Sequence, residues 1–232
     1  MAVFTRSPSG ISTVSPSSGK VSGGISEKVY TFVQRVGGDN MTLVSTALTS
    51  IQGVAKYMVQ SSAAEVDYAF AFCLNDLGQQ ATFTGLFDEY RFDKVVLNFR
   101  PLKTEQVNAA TPLTAAFNTF ADSYDSGTMI VAIDQDDYAN ATFGALQQYS
   151  SSLVCRVIQP NDIKVVINRP KVSQALYAGA FTSYGSSRTW IDCASISVQH
   201  FGCKVAIERG IANLGQLWAV DAEYTVSFRG VR

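Results

Sequence analysis

The sequence predicts an all-β chain: an antiparallel two-sheet sandwich of eight strands, with short helices in its loops and a flexible N-terminal arm. Three observations carry this. Over residues 217–229, Trp218, Val220, Ala222, Tyr224, Val226 and Phe228 alternate with Asp221, Glu223, Thr225, Ser227 and Arg229. Unbroken alternation over this length is the mark of a strand with one buried face. The same alternation returns from Glu65 and through Val95, Leu97 and Phe99, and five further stretches are strand candidates. Helical stretches, by contrast, are few and brief.

In chain order, residues 1–26 come first. Eight Ser, four Gly and two Pro supply 14 of these 26 residues, and none is acidic. Such a composition has too little apolar surface to build a core, so an extended arm is expected, followed by one domain over 27–232. Strands are predicted at 28–36; from Glu65, with Val66, Tyr68, Phe70, Phe72 and Leu74 on one face; and through Val95, Leu97 and Phe99. The third ends at Pro101, which has no N–H to give a ladder. Further strands are read at 128–134, 152–158, 163–169, 196–209 and 217–229. Residues 82–90 and 141–149 each fit about two helical turns, and 114–121 carries a fainter helical pattern. The connections 37–64, 102–126 and 171–195 are long, and loops of this length are commonly functional or packed against something. Eight strands with such connections fit a jelly roll better than an immunoglobulin sandwich, whose turns recur at short, regular spacing.

Composition narrows the function. Charged residues make up 16% of the 232, against roughly 25% in typical globular chains. Either uncharged polar residues cover the surface, or much of it is buried against other subunits. With 18 basic and 19 acidic residues, the chain is not a strongly basic nucleic-acid binder. The single histidine, His200, argues against multi-histidine metal centres and reads as a structural residue. Cys73, Cys155, Cys193 and Cys203 show no CxxC spacing and read as small buried residues in a chain made in a reducing compartment. No apolar run reaches the ~18 residues of a membrane span, the N-terminus lacks a signal-peptide core, and no P-loop, GxSxG or HExxH pattern is present.

The most specific stretch runs from Phe87 through Tyr90-Arg91-Phe92 to Val95, Phe99 and Pro101, read as a short helix delivering an aromatic-Arg-aromatic corner into a strand. Some 27 residues later a strand starting at Gly127 runs into Asp134-Gln135-Asp136-Asp137. This pair resembles the shell domain of small icosahedral RNA-virus capsid proteins of the tombusvirus-like and sobemovirus-like type. Jelly rolls of this kind also occur in capsids of small circular single-stranded DNA viruses. The resemblance implies a structural protein with no active site, which assembles with copies of itself into an icosahedral shell around a single-stranded genome, expected to be RNA and weakly held. It implies localisation in the virion and assembly in the host cytoplasm, or in the nucleus for a DNA genome.

Two sites follow. Asp134, Asp136 and Asp137 repel one another unless a cation sits among them, and hard oxygen ligands suit Ca²⁺. In the resembled family, acids of this loop hold calcium between subunits. The family spacing D-x-D-x-x-D is broken here by Ala139, and a solvated acidic loop is the alternative. No cofactor is required; Asp122, Asp125 and Asp162 are further ligand candidates. For the genome, the arm contributes only Arg6 and Lys20, with Arg229 and Arg232 near the other end. Arg91, Lys94, Arg100 and Lys103 could add to the interior charge. The rival function is a carbohydrate-binding jelly-roll lectin, a small oligomer with Trp190 and Trp218 as stacking platforms.

Overall fold

The computed structural model describes residues 28–41, 49–51, 54–60, 64–101, 128–137, 139–156, 162–172, 175–177, 180–181, 189–208 and 216–231. The predicted arm and the helical pattern at 114–121 lie outside them. The chain forms β1 (Tyr30–Gly37), β2 (Thr49–Ile51), β3 (Val54–Gln60) and β4 (Val66–Phe72), then α1 (Gln80–Leu86) and β5 (Phe87–Pro101). There follow β6 (Thr128–Ile133), α2 (Phe143–Leu146), β7 (Leu153–Arg156) and β8 (Ile163–Asn168). Last come the short β9 (Ala175–Tyr177), β10 (Ala180–Phe181) and β11 (Ile191–Asp192), then β12 (His200–Ile207) and β13 (Gln216–Val231).

All eight predicted strands are present, as β1, β4, β5, β6, β7, β8, β12 and β13. They divide into the antiparallel sheets β1-β13-β5-β8 and β4-β12-β6-β7. Numbered among themselves, the first sheet holds the first, eighth, third and sixth strands, and the second holds the second, seventh, fourth and fifth. That interleaving is the jelly roll, two Greek keys folded together. The inward residues of β13 meet Tyr68, Phe70 and Phe72 of β4, Met129 and Val131 of β6, and Cys203, Val205 and Ile207 of β12 in one core. A smaller cluster forms on the outer face of the second sheet. There Leu146 of α2 buries Ile130, Ala132 and Ala206, with Phe143 and Tyr149 packed alongside.

The sequence reading needs four corrections. Residues 87–90 are strand, not helix: α1 stops at Leu86, and pairing of Phe87 with Val231 and Tyr90 with Phe228 pulls the chain into the sheet. Tyr90-Arg91-Phe92 is therefore mid-strand and no corner. The 141–149 helix shrinks to Phe143–Leu146. The connection 37–64 contains β2 and β3, and β3 lengthens the first sheet by pairing with the start of β13. Finally, 196–199 precede β12 as turns rather than opening it. His200 is 1% exposed, its Nδ1 lies 3.2 Å from the Phe72 carbonyl oxygen and its ring 4.6 Å from Phe92. Burial pushes the imidazole down to about 4, against backbone hydrogen bonds to Phe72 and Val198 that oppose the shift. It is a structural histidine. Cys73, Cys193 and Cys203 are buried as expected, whereas Cys155 is only partly so.

One irregularity prepares the surface described next. Where β5 pairs with β13, Thr225 faces Lys94 and Val226 faces Phe92, so Asp93 is an extra residue, a β-bulge. Its carbonyl accepts the Arg169 N–H at 2.8 Å, and Arg169 has φ 53. A bulky residue with positive φ is held there by its surroundings.

Candidate functional site

Alternation puts two kinds of residue on the outside of the two sheets, and each sheet carries one of the expected sites. Strand β6 ends at Ile133 and delivers Asp134 to the outer face of the second sheet, under the segment that carries α2. Asp134 and Lys204 are both nearly inaccessible, at 5% and 4% exposure. The Lys204 Nζ lies 2.7 Å from Asp134 Oδ2 and also donates to Asp137 Oδ1. Tyr149 OH donates to Asp134 Oδ2 at 2.7 Å, and the Asp136 N–H donates to Asp134 Oδ1 at 2.9 Å. Asp136 itself faces Lys171 at 3.2 Å. Burial alone would raise the Asp134 carboxyl, but the bonds from Lys204, Tyr149 and the Asp136 backbone outweigh it and hold it below the usual carboxylate range. Burial opposes the Lys204 charge too, and its two carboxylate partners still lift its ammonium above the ordinary lysine value.

The three predicted aspartates do come together, then, each with an ammonium partner. Among the described residues no group of three or more His, Cys, Asp or Glu is arranged to hold a metal ion. Asp162, another candidate ligand, takes two bonds from Arg100 at 3.0 and 3.2 Å; Asp122 and Asp125 lie outside the described residues. Lys204 and Lys171 were missed by sequence reasoning, although Lys204 gave a signal. It is the one charged residue in HFGCKVAI, a run buried at every position, and a buried charge demands a partner.

The outer face of the first sheet carries the predicted basic residues. Arg229 pairs with Glu89 across β13 and β5. Arg91 Nε donates to Asp93 Oδ1 at 2.8 Å, while Ser227 Oγ donates to the other oxygen. The guanidinium carbons of Arg91 and Arg229 each lie 4.6 Å from the centre of the Trp190 ring, a cation–π arrangement. Beside them opens a cavity of about 970 Å³ lined by Arg91, Asp93, Lys94, Asn168 and Arg169. Arg6, Lys20, Lys103 and Arg232 lie outside the described residues. Trp218 is fully buried, and Trp190 is taken up by two arginines, so neither is the open platform a lectin needs. Arg169 and the Trp190 contacts were not foreseen, because Arg169 meets Asp93 76 positions away and Trp190 meets Arg91 and Arg229 at 99 and 39 positions.

No curated protein matches the sequence. Among solved structures, the BFDV capsid protein in its 60-mer form aligns at a TM-score of 0.51 and 14% identity, covering 88% of this chain and 95% of that one. Its decameric form gives 0.46 at 15%, covering 86% and 99%. Tobacco necrosis virus gives 0.46 at 12%, covering 99% and 90%. At 14% identity the 60-mer match speaks to the fold alone, and that fold is the one the strand order already defines. The family model of the circovirus capsid protein matches residues 30–232, nearly the whole sandwich from β1 to the end of β13, and the chain belongs to that family of structural shell proteins.

Proposed function

We propose that copies of this chain close into an icosahedral shell around a single-stranded DNA genome. The family match over residues 30–232 carries the reading, and it favours DNA over the RNA expected from sequence. A DNA genome moves the expected site of assembly from host cytoplasm to nucleus. The BFDV capsid protein, solved as a 60-mer, shares the fold and illustrates how a single jelly roll can tile a closed shell. Exposed Leu153 and Val154 lie on β7, the edge of the second sheet, and Val231 is 61% exposed at the end of β13. Lateral contacts between copies would cover such side chains and account for a chain so poor in charge.

Electron microscopy and sizing chromatography of the full chain test this. Closed particles of megadalton mass, whose extracted nucleic acid is digested by DNase and not RNase, are the expected result. A species that stays monomeric under all salt conditions would end the shell reading, and RNase-sensitive contents would end the DNA reading.

In the same proposal Lys204 and Lys171 do the work that calcium does in the resembled RNA viruses. Chelation with EDTA is expected to leave the melting temperature unchanged, and millimolar Ca²⁺ to add nothing. A calcium-dependent rise in melting temperature that Asp137→Asn abolishes would return the cation to this loop.

A further inference from the structure

We propose that the cavity bounded by Arg91, Lys94, Asn168 and Arg169 seats the phosphate backbone of the packaged strand; this rests on the shell reading and gives it a site. Two of the cations that line the cavity, Lys94 and Arg169, have no carboxylate within ion-pair distance among the described residues. Arg100 and Arg229 are spoken for by Asp162 and Glu89, and Lys164, at the other end of β8, already acts on Asp162. Three cations line the cavity against one carboxylate, Asp93, and both oxygens of that carboxylate are engaged by Arg91 and Ser227.

The seat is also built. The bulge at Asp93 and the positive-φ backbone of Arg169 are locked together by a 2.8 Å hydrogen bond. This bond fixes the backbone beside Lys94, and Lys94 and Arg169 line the same opening. Arg91 is held by Asp93 and by stacking on Trp190, so less freedom is lost when its remaining N–H groups bind an anion. On the outward face of β8, Lys164 lies roughly 16 Å from Arg169, with exposed Val166 and neutral Asn168 between them. Residues 1–26 add only two cations, Arg6 and Lys20, so within this sequence most of the positive charge that phosphate could meet lies in the sandwich region. Contacts of this kind read the backbone and not the bases, so binding is sequence-independent.

The test is fluorescence anisotropy of a labelled 20-nucleotide dT strand with the dissociated full chain, from 50 to 200 mM NaCl. Each lost phosphate contact on a single strand lowers the magnitude of the log K against log salt slope by about 0.7, so Lys94→Gln with Arg169→Gln should lower it by about 1.4. Lys94→Arg with Arg169→Lys keeps the slope. Lys28→Gln with Arg35→Gln, the same charge change on β1 and its flank, leaves it unaltered. An equal loss in that control pair means diffuse electrostatics and overturns the site. So does a double glutamine variant that loses heparin binding but keeps the oligonucleotide, since the cavity then belongs to a sulfated glycan. Circular dichroism confirms that each variant is folded. Microscopy of the same variants separates the two readings: intact particles with a lowered 260/280 nm ratio support both. Absence of particles from the unmodified chain removes the shell reading alone, because the slope is measured on subunits.

Discussion

Lys204→Met is expected to destabilise the chain by about 3–5 kcal/mol, the usual cost of stranding one member of a buried ion pair. For a domain of this size that is a fall in melting temperature of roughly 6–20 °C. Asp134, with 5% exposure, would keep only the Tyr149 hydroxyl and the Asp136 N–H, and neither carries a charge to offset its own. The segment that carries α2 would have to open to water or Asp134 would have to take a proton. Asp134→Leu combined with Lys204→Met should recover much of the loss, because an apolar pair of similar volume needs no compensation. A single methionine variant melting within about 1 kcal/mol of the parent would show that the pair is not what anchors this loop.

The pH profile carries the same information. Asp134 is held low, so its contribution is present above the ordinary carboxyl range and is lost as pH falls through its lowered folded value. Lys204 is held high, so its contribution is full below the ordinary lysine value and is lost as pH rises through its raised folded one. His200 acts between these limits. Buried neutral and pushed down to about 4, it costs stability as pH falls below 6.5, because the unfolded chain takes a proton that the folded chain refuses. Asp67, raised to about 6 by burial and then by Glu65, works in the opposite sense, favouring the folded state toward acid. The double replacement should flatten the two outer limbs and leave the middle unchanged, as urea midpoints across pH would show.

What could be read from the sequence was what alternation encodes. The inward set of β13, from Trp218 to Phe228, is the buried set in the structure, and the strand after Tyr90 does end at Pro101. Period two is a local property, and each strand carries its own copy. The candidate sites are not local. Asp134, Asp136 and Asp137 are neighbours in sequence, so the acids were visible; Lys204 sits 67 positions beyond Asp137, and only the pairing of β12 with β6 brings the two ends together. An acidic run without its cation reads as a metal site, and the cation was hidden by topology. The basic face has the same logic. Arg91 and Arg229 were visible as charges, but their shared contact with Trp190, the bulge at Asp93 and the backbone of Arg169 arise from register, which no single segment specifies. Residues 87–90 fail for a related reason: their helical pattern continues from α1, and pairing with β13 overrides it.

Phe228→Ala is expected to cost about 4–5 kcal/mol, the upper part of the range for a buried aromatic, because the hole it leaves cannot close. The ring is fully buried. It stacks on Phe83 of α1 at 4.7 Å and 16°, meets Phe32 of β1 edge-on at 5.8 Å, and lies 5.2 Å from Phe87 at the start of β5. Three separate elements thus line the cavity, and relaxation of one into it would pull its rings off the other two. The backbone has no slack either. Gly230, two residues on, has φ +67, and a Cβ there would stand 2.9 Å from Asp88 Cβ, so β13 is clamped against β5 just where it would need to shift. Phe228→Leu keeps most of the volume and should lose less than half as much, through the aromatic contacts alone. The two variants separate packing from ring geometry, and hydrogen exchange locates the damage. Because β1 is an outer strand held along its length by β13, its amides from Tyr30 to Gly37 should exchange faster in Phe228→Ala, while those of β12, at the centre of the other sheet, keep their protection relative to global unfolding. Uniform acceleration of both sheets would mean that Phe228 supports the sandwich as a whole and that β1 has no weaker hold than its neighbours.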